Sequence, residues 1–412
     1  MIGQFFRDPK TIHRMNENPL GPYINIFAKN IHDQGFSRKH GCYQIRVLAS
    51  FNKWIQKYNF EIKDINHHKI NAFLDDRKKI LKINHPDRPA LNRLLDILND
   101  MGIIDDKEQN EVKTGRQIIE DGYKQYLSHE RHLAPSTILN YMPIVHQFLS
   151  ECFSTNNIQL YKLRVKDITG FIRRHAQAVS VKRAKIMVTA IRSFLKYLLL
   201  QGKIDTDLSV CVPTVPCWKL STLPTFLQPK QVQTVLRSCD RKTSLGMRNY
   251  AILLLLARLG LRACEIKSIT LDDIEWESGN ISIYGKGRSI SRLPLPKDAG
   301  EAIVTYIKYG RPTCSTRHIF VRHTAPIREL GNSSTISSIV RRALIHAGIK
   351  SFHMGAHIFR HTVATEMLNQ GASLDEIGEL LGHSNPNTTS IYAKVDIKAL
   401  KKLAQPWPGG EL

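Results

Sequence analysis

The most specific stretch of this chain is His357-Ile358-Phe359-Arg360-His361-Thr362-Val363-Ala364-Thr365. Its apolar residues recur at helical spacing as far as Asn369, and Gly371 follows, which predicts an α-helix that ends there. His357 and Arg360 are then one turn apart and project from the same side. A guanidinium can donate two hydrogen bonds to one phosphate, and an imidazole can exchange a proton near neutral pH. The stretch therefore predicts a helix that presents a phosphate-binding and proton-transferring pair.

Two further candidate residues follow this helix. Ser373-Leu374-Asp375-Glu376 has the form of a capping box and predicts the start of another helix, which Gly382 ends. The glycine would expose His383 directly after it. Tyr392 stands nine residues later, in a predicted last helix that also carries Ile391 and Val395. Taken alone, a histidine or a tyrosine at these positions would most often serve packing.

An arginine and a glutamate occur earlier in the chain, at a predicted turn between two helices. The apolar run Leu253–Leu259 reads as a buried helix that stops at Gly260, and Arg262 begins a second helix that reaches Ile269. Glu265 lies one turn after Arg262, where its carboxylate could orient the guanidinium. An Arg and a Glu at this spacing are also common as a surface ion pair, so the fragment by itself leaves both readings open.

A predicted hairpin supplies a lysine. Ile281 and Ile283 alternate with polar residues, and a second short run spans 292–295, which predicts a small antiparallel sheet. Between the two runs lies Tyr284-Gly285-Lys286-Gly287-Arg288, whose glycines permit a tight turn. At its tip, Lys286 could donate a proton to a leaving oxygen, or it could be an ordinary solvated lysine.

In their order and spacing, these fragments resemble the tyrosine recombinase, or phage integrase, family, and in particular the integrases and transposases of mobile elements. The resemblance is strong over about residues 225–396 and looser over 116–200, where the family has a helical core-binding domain. It implies that Tyr392 attacks a DNA phosphate to give a 3′-phosphotyrosine. The implied partners of Tyr392 are Arg262, Arg360 and His383 on the phosphate oxygens, Lys286 as general acid, His357 as proton acceptor or donor, and Glu265 in support. Neither a metal, nor another cofactor, nor ATP is required by this chemistry.

The chain before the catalytic region predicts further helical domains. Four prolines in the stretch from Asp205 to Pro229, the last being Pro229 itself, indicate a linker. We expect an N-terminal helical domain at 1–110, a helical core-binding (SAM-like) domain at 111–205, the linker at 206–228 and the catalytic domain at 229–412. The predicted fold class is mainly α with a small antiparallel sheet, in which helical DNA-binding domains precede an α+β catalytic domain.

One helix of the core-binding region has two distinct faces. In the predicted helix Val181–Leu200, apolar residues recur at helical spacing and form a core face, which contains Met187, Ala190, Ile191, Phe194, Leu195 and Leu198. Four cations share another stripe without an interleaved carboxylate, namely Lys182, Lys185, Arg192 and Lys196. This stripe predicts DNA contact, with a solvated charged face as the alternative.

The first 110 residues resemble the core-binding region itself. The run 70–74 parallels 168–172 at an offset of 98, and an apolar set that ends at Gly102 parallels one that ends at Gly202 at an offset of 100. Any two amphipathic helices share apolar spacing, but the common order of the elements favours a divergent repeat.

The composition fits a nucleic-acid partner. Lys and Arg number 59 against 36 Asp and Glu, a net charge of +23, and the excess is spread over +5 in 1–110, +8 in 111–205 and +10 in 206–412. A charge distributed over folded segments is typical of a protein that surrounds a duplex, although a basic soluble surface would look the same. The seven cysteines are odd in number and contain no C-x-x-C pair, and no ligand spacing accompanies His67 and His68. We therefore expect a reduced cytoplasmic protein of the bacterial nucleoid, without a metal site, a signal peptide or a membrane span.

The expected partners are double-stranded DNA and three further copies of the chain, as a homotetramer on two DNA sites, with other recombinases or accessory proteins as an open possibility. Three other functions compete with a mobile-element integrase. The chain could be a chromosome-dimer-resolving Xer-like recombinase, a type IB topoisomerase, or an inactive DNA-binding regulator. An inactive regulator would be expected to lack one of the catalytic residues, and none is missing from this sequence.

Overall fold

The structure, a computed structural model, describes residues 2–16, 19–80, 86–104, 114–153, 158–216, 224–285, 290–351, 353–382, 385 and 388–395. It divides into two compact units. The first comprises Met1–Asp105 together with Thr222–Leu412, and the second is Asp106–Ser221. Helices make up most of both units, and a three-stranded antiparallel sheet lies in the first. The predicted architecture, mainly α with a small antiparallel sheet, is confirmed.

The N-terminal part of the first unit is a helical bundle with a hydrophobic core of its own. Its helices are α1 (Pro9–Asn16), α2 (Gly21–Asp33), α3 (Arg38–Lys57), α4 (His67–Ile80) and α5 (Asp87–Asp100). The apolar faces of α2, α3 and α5 pack together, so that Phe27, Phe51 and Leu94 are fully buried. At the end of α2, the carbonyl of Gln34 accepts a hydrogen bond of 2.9 Å from the backbone N–H of Ile327. This bond ties the bundle to the C-terminal part of the same unit.

The second unit is also a helical bundle. It contains α6 (Gly115–Gln125), a π-helical turn (Tyr126–Glu130), α7 (Pro135–Cys152), α8 (Val165–Ala176) and α9 (Val181–Leu200). Ser180 caps α9 by accepting a hydrogen bond from the backbone N–H of Arg183. The bounds of α9 are those predicted from its apolar spacing, and the predicted core face is buried along its whole length. The remaining helices of the unit pack against this face.

The C-terminal part of the first unit contains the predicted catalytic region. Its helices are α10 (Pro229–Arg237), α11 (Ser244–Leu259), α12 (Ala263–Ser268), α13 (Lys297–Thr305), α14 (Ser334–His346), α15 (His357–Asn369) and α16 (Leu374–Leu380). Helix α11 is apolar on nearly all sides from Ala251 to Leu256 and is buried between α13 and α15. An all-round apolar helix lies inside a core rather than on its surface. Helix α11 therefore serves as the central support of this part.

The small sheet consists of β1 (Ile274–Glu275), β2 (Asn280–Tyr284) and β3 (Ile290–Pro294). Its order is β1-β2-β3, and Ile281 lies opposite both Ile274 and Leu293 in the register. The predicted hairpin is confirmed, whereas β1 was not anticipated because two residues are too short for an alternating pattern to show.

Two of the predicted helix ends are resolved in detail. The capping box at Ser373 is present, because the backbone N–H of Ser373 donates to Glu376 Oε2 at 2.7 Å and that of Glu376 donates to Ser373 Oγ at 3.2 Å. The last predicted helix is a 3-10 helix, Ser390–Val395. Within the residues that the structure describes, no helix combines the length and the apolar character that crossing a membrane would require.

Candidate active site

Arg262 is held in place by the residue one turn after it. Helix α11 ends at Gly260, whose φ of 60° is left-handed and therefore suits glycine, and a Cβ at this position would lie 2.9 Å from Leu381 Cδ2. Arg262 then occupies the N-cap position of α12. The buried carboxylate of Glu265 accepts the backbone N–H of Arg262 at 2.7 Å and its Nη1 at 2.6 Å. The carboxylate thus holds Arg262 through both its backbone and its guanidinium.

Arg360 is buried in the middle of the same region. Only 4% of the residue is exposed, its Nη1 donates to the carbonyl of Gly260 at 3.0 Å, and its Nη2 donates to the carbonyl of Leu381. Burial, and after it the nearby cation of Arg262, lowers the pKa of Arg360 to about 10. Arg360 therefore remains a cation at neutral pH while it connects the end of α11, helix α15 and the end of α16.

The two arginines bind consecutive carbonyl groups. Arg360 donates to Leu381, and Arg262 Nη2 donates to Gly382 at 2.9 Å. Gly382 has a left-handed φ of 59° and directly precedes His383. A guanidinium has five N–H donors, so each arginine keeps donors for a further oxygen-rich group. The pair is thus a cationic cluster that can receive a phosphate.

Tyr392 lies against the same helix that carries Arg360. It is only 2% exposed and packs in an apolar cluster with Ala364, Ile377 and Leu381. Burial raises the pKa of the Tyr392 phenol, while the neighbouring Arg360 cation acts in the opposite direction. A hydrogen bond of 3.0 Å joins Tyr392 Oη to Nδ1 of His361, and the two rings meet edge to face with their centroids 5.7 Å apart. The phenol is therefore buried and hydrogen-bonded to His361.

The other predicted site residues fall into two groups. His357 is the first residue of α15 and is exposed, one helical turn before Arg360. Lys286, which follows β2 in the sequence, and His383, which follows Gly382, both lie outside the described residues. The structure therefore brings together Arg262, Glu265, Arg360 and Tyr392.

Sequence reasoning did not assign a role to His361. This residue stands directly after Arg360 in the most specific stretch, but its partner Tyr392 is 31 residues further along the chain. A histidine adjacent to a candidate phosphate ligand was the available signal. Its contact with the phenol depends on the packing of the last 3-10 helix against α15, which local sequence does not reveal.

The predicted DNA-binding row on α9 is not uniform. Lys182, Lys185 and Lys196 are exposed, whereas Arg192 is half-buried and donates a hydrogen bond of 2.8 Å from Nη2 to the carbonyl of Val212. Hydrogen bonds from Ser209 lower the pKa of the exposed Asp207, in the segment after α9, and the cation of Lys196 acts in the same direction. Arg192 thus has a structural contact within this unit, and its contact with DNA stays a prediction.

Comparison with known protein families agrees with this geometry. Residues 225–398 match the model of the phage integrase family, and residues 121–202 match that of the phage integrase N-terminal SAM-like domain. Over 402 residues, the chain is 42% identical to the integrase/recombinase y4rA of Sinorhizobium fredii, and the match covers 97% of each protein. The chain belongs to the phage integrase family of tyrosine recombinases. It is thus a site-specific DNA recombinase, which cleaves and rejoins strands, as the sequence predicted.

Two further similarities define how the recombinase relates to its family. It is 31% identical to the tyrosine recombinase XerD of Listeria monocytogenes, over 69% of this chain and 96% of that protein. The structure of the XerH recombinase bound to its difH substrate is similar in fold, with a TM-score of 0.56 at 20% identity over 82% of this chain and 95% of XerH. Relatives of the recombinase thus include both integrases and Xer proteins.

Proposed function

We propose that the recombinase cleaves DNA through Tyr392. Its phenolic oxygen forms a bond to the scissile phosphorus, the bond from phosphorus to the 5′ oxygen breaks, and a 3′-phosphotyrosine results. In this scheme Arg262, Arg360 and His383 hold the phosphate oxygens. Lys286 gives a proton to the leaving 5′ oxygen, and His357 accepts or donates a proton. The observation that carries the proposal is that Arg262 and Arg360 converge on neighbouring carbonyls while Tyr392 packs against the helix of Arg360.

The electrostatics of the cluster support this chemistry. The transition state of phosphoryl transfer carries negative charge on the equatorial oxygens, and fixed cations stabilise it without reorganisation. Arg262 is oriented by Glu265, and Arg360 is buried and anchored at both ends of its guanidinium. The ester to tyrosine conserves the energy of the broken phosphodiester, so the reaction needs neither ATP nor a metal ion.

The experiment uses a core site selected from a randomised duplex pool by its binding to the wild-type protein. A nick placed near the cleavage position lets a short strand diffuse away, so that the covalent adduct accumulates. We expect a protein–DNA adduct that survives denaturation and forms equally well in excess EDTA, with the DNA attached to the peptide that contains Tyr392. An adduct that appears only after addition of magnesium, or that maps to another residue, would contradict the proposal.

We further propose that the recombinase moves or integrates a mobile element, as a homotetramer on two DNA sites in the bacterial nucleoid. Support comes from the extra N-terminal bundle. The integrase/recombinase y4rA matches 97% of this chain and so spans this bundle, whereas the match to XerD covers 69% of this chain. The competing function is Xer-like resolution of chromosome dimers, which the match to 96% of XerD favours. Sequencing the DNA that flanks the gene separates the two. Inverted repeats and a duplicated junction there would identify a mobile element.

We also propose that residues 1–110 are a divergent repeat of the core-binding domain at 111–205, followed by a linker at 206–228 and the catalytic domain at 229–412. The supporting observation is a shared order of elements. A 3-10 turn at Ile62–Asp64 precedes α4, and one at Leu160–Lys162 precedes α8, again at an offset of 98. Gly102 and Gly202 follow α5 and α9 with left-handed φ angles of 66° and 61°.

A further inference from the structure

The contact between His361 and Tyr392 points to a role in the reaction itself. The hydrogen bond is between Nδ1 and Oη, and the latter is the atom proposed to attack phosphorus. Because Tyr392 is 2% exposed, water competes little for this hydrogen bond. By contrast, the resemblance assigns proton transfer to His357, which is exposed at the start of α15.

The position of His361 is fixed by the same framework that fixes the proposed phosphate ligands. It directly follows Arg360, whose guanidinium is bonded to the carbonyls of Gly260 and Leu381. The next residue, Thr362, is buried, donates from Oγ1 to the carbonyl of Ile358 at 2.8 Å and accepts the backbone N–H of Leu227 at 2.9 Å. Residues anchored on both sides leave the backbone of His361 little freedom, so its imidazole is preorganised toward Tyr392.

The phenol needs a proton acceptor. Burial raises the pKa of Tyr392, so the hydroxyl is protonated at neutral pH and is a poor nucleophile in that form. A neutral imidazole within hydrogen-bond distance is the usual general base for such a group. Charged groups on the elements that meet here are Arg360 on α15, which acts on Tyr392, Arg262 and Glu265 at α12, which act on Arg360, and Lys394 on the last 3-10 helix. His357, on the same helix, is a further titratable group.

We propose that His361, rather than His357, is the proton acceptor for Tyr392 in strand cleavage. As Oη bonds to phosphorus, the phenolic proton passes to His361 Nδ1. The bond from phosphorus to the 5′ oxygen breaks in the same displacement, and that oxygen takes its proton from Lys286. When the strands rejoin, His361 returns the proton to Tyr392. The inference rests on the proposed function, in which Tyr392 is the nucleophile.

The test measures single-turnover formation of the adduct on the nicked core site. In His361→Asn, an amide replaces the imidazole and can hydrogen-bond the phenol but cannot take its proton, so we expect cleavage at pH 7 to slow about 100-fold with unchanged DNA binding. Replacing Tyr392 by 3,5-difluorotyrosine, a more acidic phenol, should restore most of the rate in this variant. The matched control is His346→Asn, at an exposed position on α14, which should cleave at the wild-type rate. His357→Asn is a comparison arm rather than a control: if His361 is the acceptor, difluorotyrosine should raise the cleavage rate of this variant no more than it raises that of the protein with both histidines.

Each outcome bears on the inference. Cleavage by His361→Asn within about threefold of the wild-type rate, or a loss that difluorotyrosine does not relieve, would overturn it. If His361→Asn binds DNA poorly, imidazole is added to His361→Ala, where rescue of cleavage supports the inference and failure of rescue contradicts it. A covalent adduct in Tyr392→Phe would instead overturn the proposed function, so the two failures are distinguishable.

Discussion

At the scale of single residues, one buried guanidinium organises the candidate site. Arg360 bonds the carbonyl of Gly260, at the end of α11, and that of Leu381, at the end of α16. Hydrogen bonds from a charged group in a buried setting are strong and directional. The helices that meet at the site are therefore aligned by a residue that is itself a proposed phosphate ligand, so binding and architecture depend on the same side chain.

The carboxylate of Glu265 gives a testable consequence at this scale. It is buried and pairs with Arg262 through both the backbone and the side chain. In Glu265→Gln the charge pairing is lost and Arg262 is less firmly oriented, so we expect adduct formation on the nicked core site to fall about 10- to 100-fold. Glu366→Gln, at an exposed position on α15, is the matched control. Equal rates in the two variants would show that Glu265 does not orient Arg262.

Much of this residue-level pattern could be predicted from the sequence, because spacing within one helix or turn carries it. Gly260 before Arg262, Glu265 one turn later and the pair His357 and Arg360 are all local relationships. The contacts of Arg360 with Leu381 and of His361 with Tyr392 join segments 21 and 31 residues apart. These depend on how α15, α16 and the last 3-10 helix pack, and no local pattern encodes that packing.

At the scale of secondary-structure elements, long amphipathic helices were predictable and short elements were not. The bounds of α9 follow from its apolar spacing over 20 residues. Strand β1 has two residues, and the last helix is a 3-10 helix of six residues, too short for a period to be established. The row of cations on α9 could be predicted from the sequence. The hydrogen bond from Arg192 to Val212 could not, because its acceptor lies in the segment after the helix.

The α9 row leads to a prediction about salt dependence. Lys185 is exposed, so Lys185→Ala should weaken binding to the selected core site and reduce the slope of log affinity against log salt by about 1. Arg192→Ala should mainly lower the free energy of unfolding, by about 1 kcal/mol, because the hydrogen bond to Val212 is lost. Titrations of DNA binding at several salt concentrations, with urea unfolding of both variants, check this. A larger slope change in Arg192→Ala than in Lys185→Ala would refute it.

A second prediction concerns His323, which contacts Tyr306 in the π-helical turn Tyr306–Gly310 that follows α13. Tyr306 Oη is 3.2 Å from His323 Nε2, and burial, with a contribution from Arg248, lowers the pKa of His323 to about 4. An unfolded histidine titrates near 6.5. Between these values the unfolded chain binds a proton that the folded chain does not, so the free energy of unfolding should fall as pH drops from 6.5 to 4.

The loss of stability is expected to be about 1–3 kcal/mol, since solvent screening reduces the full effect of the shift. Urea unfolding between pH 7 and pH 4.5 measures it in the wild type and in His323→Phe, where this contribution should disappear. His346→Phe, on the surface of α14, should keep the wild-type dependence. Parallel curves for all three proteins would show that His323 is not buried in its neutral form.

At the scale of the whole molecule, the N-terminal bundle is attached to the C-terminal part of its unit through a close backbone approach. Gln34 accepts the N–H of Ile327, and a Cβ on Gly35 would lie 2.6 Å from Ile327 Cδ1. Gly35 has a φ of +76°, and Gly102, at the end of α5, has a similar φ of +66°, with no atom of the described residues within 4 Å of its added Cβ. The two glycines thus share a left-handed backbone that would be strained for any other residue, but they differ in their surroundings.

Alanine substitutions at Gly35 and Gly102 distinguish the cost of the left-handed backbone, which both share, from the effect of the close approach to Ile327, which only Gly35 makes. Each substitution should cost about 1 kcal/mol for the left-handed conformation, but only Gly35→Ala should also loosen the bundle. We expect faster amide exchange at Ile327 in Gly35→Ala than in Gly102→Ala, with core-site cleavage preserved in both. Identical exchange at Ile327 in the two variants would show that the approach of Gly35 is not required for docking.

The central claim is that Tyr392 is the nucleophile of a DNA recombinase, and the most direct measurement is covalent adduct formation by Tyr392→Phe on the nicked core site. This substitution removes one oxygen and retains the ring that packs against Ala364, Ile377 and Leu381. We predict wild-type affinity for the site and no adduct, because only the attacking atom is absent. A covalent protein–DNA adduct that persists in Tyr392→Phe would contradict the claim.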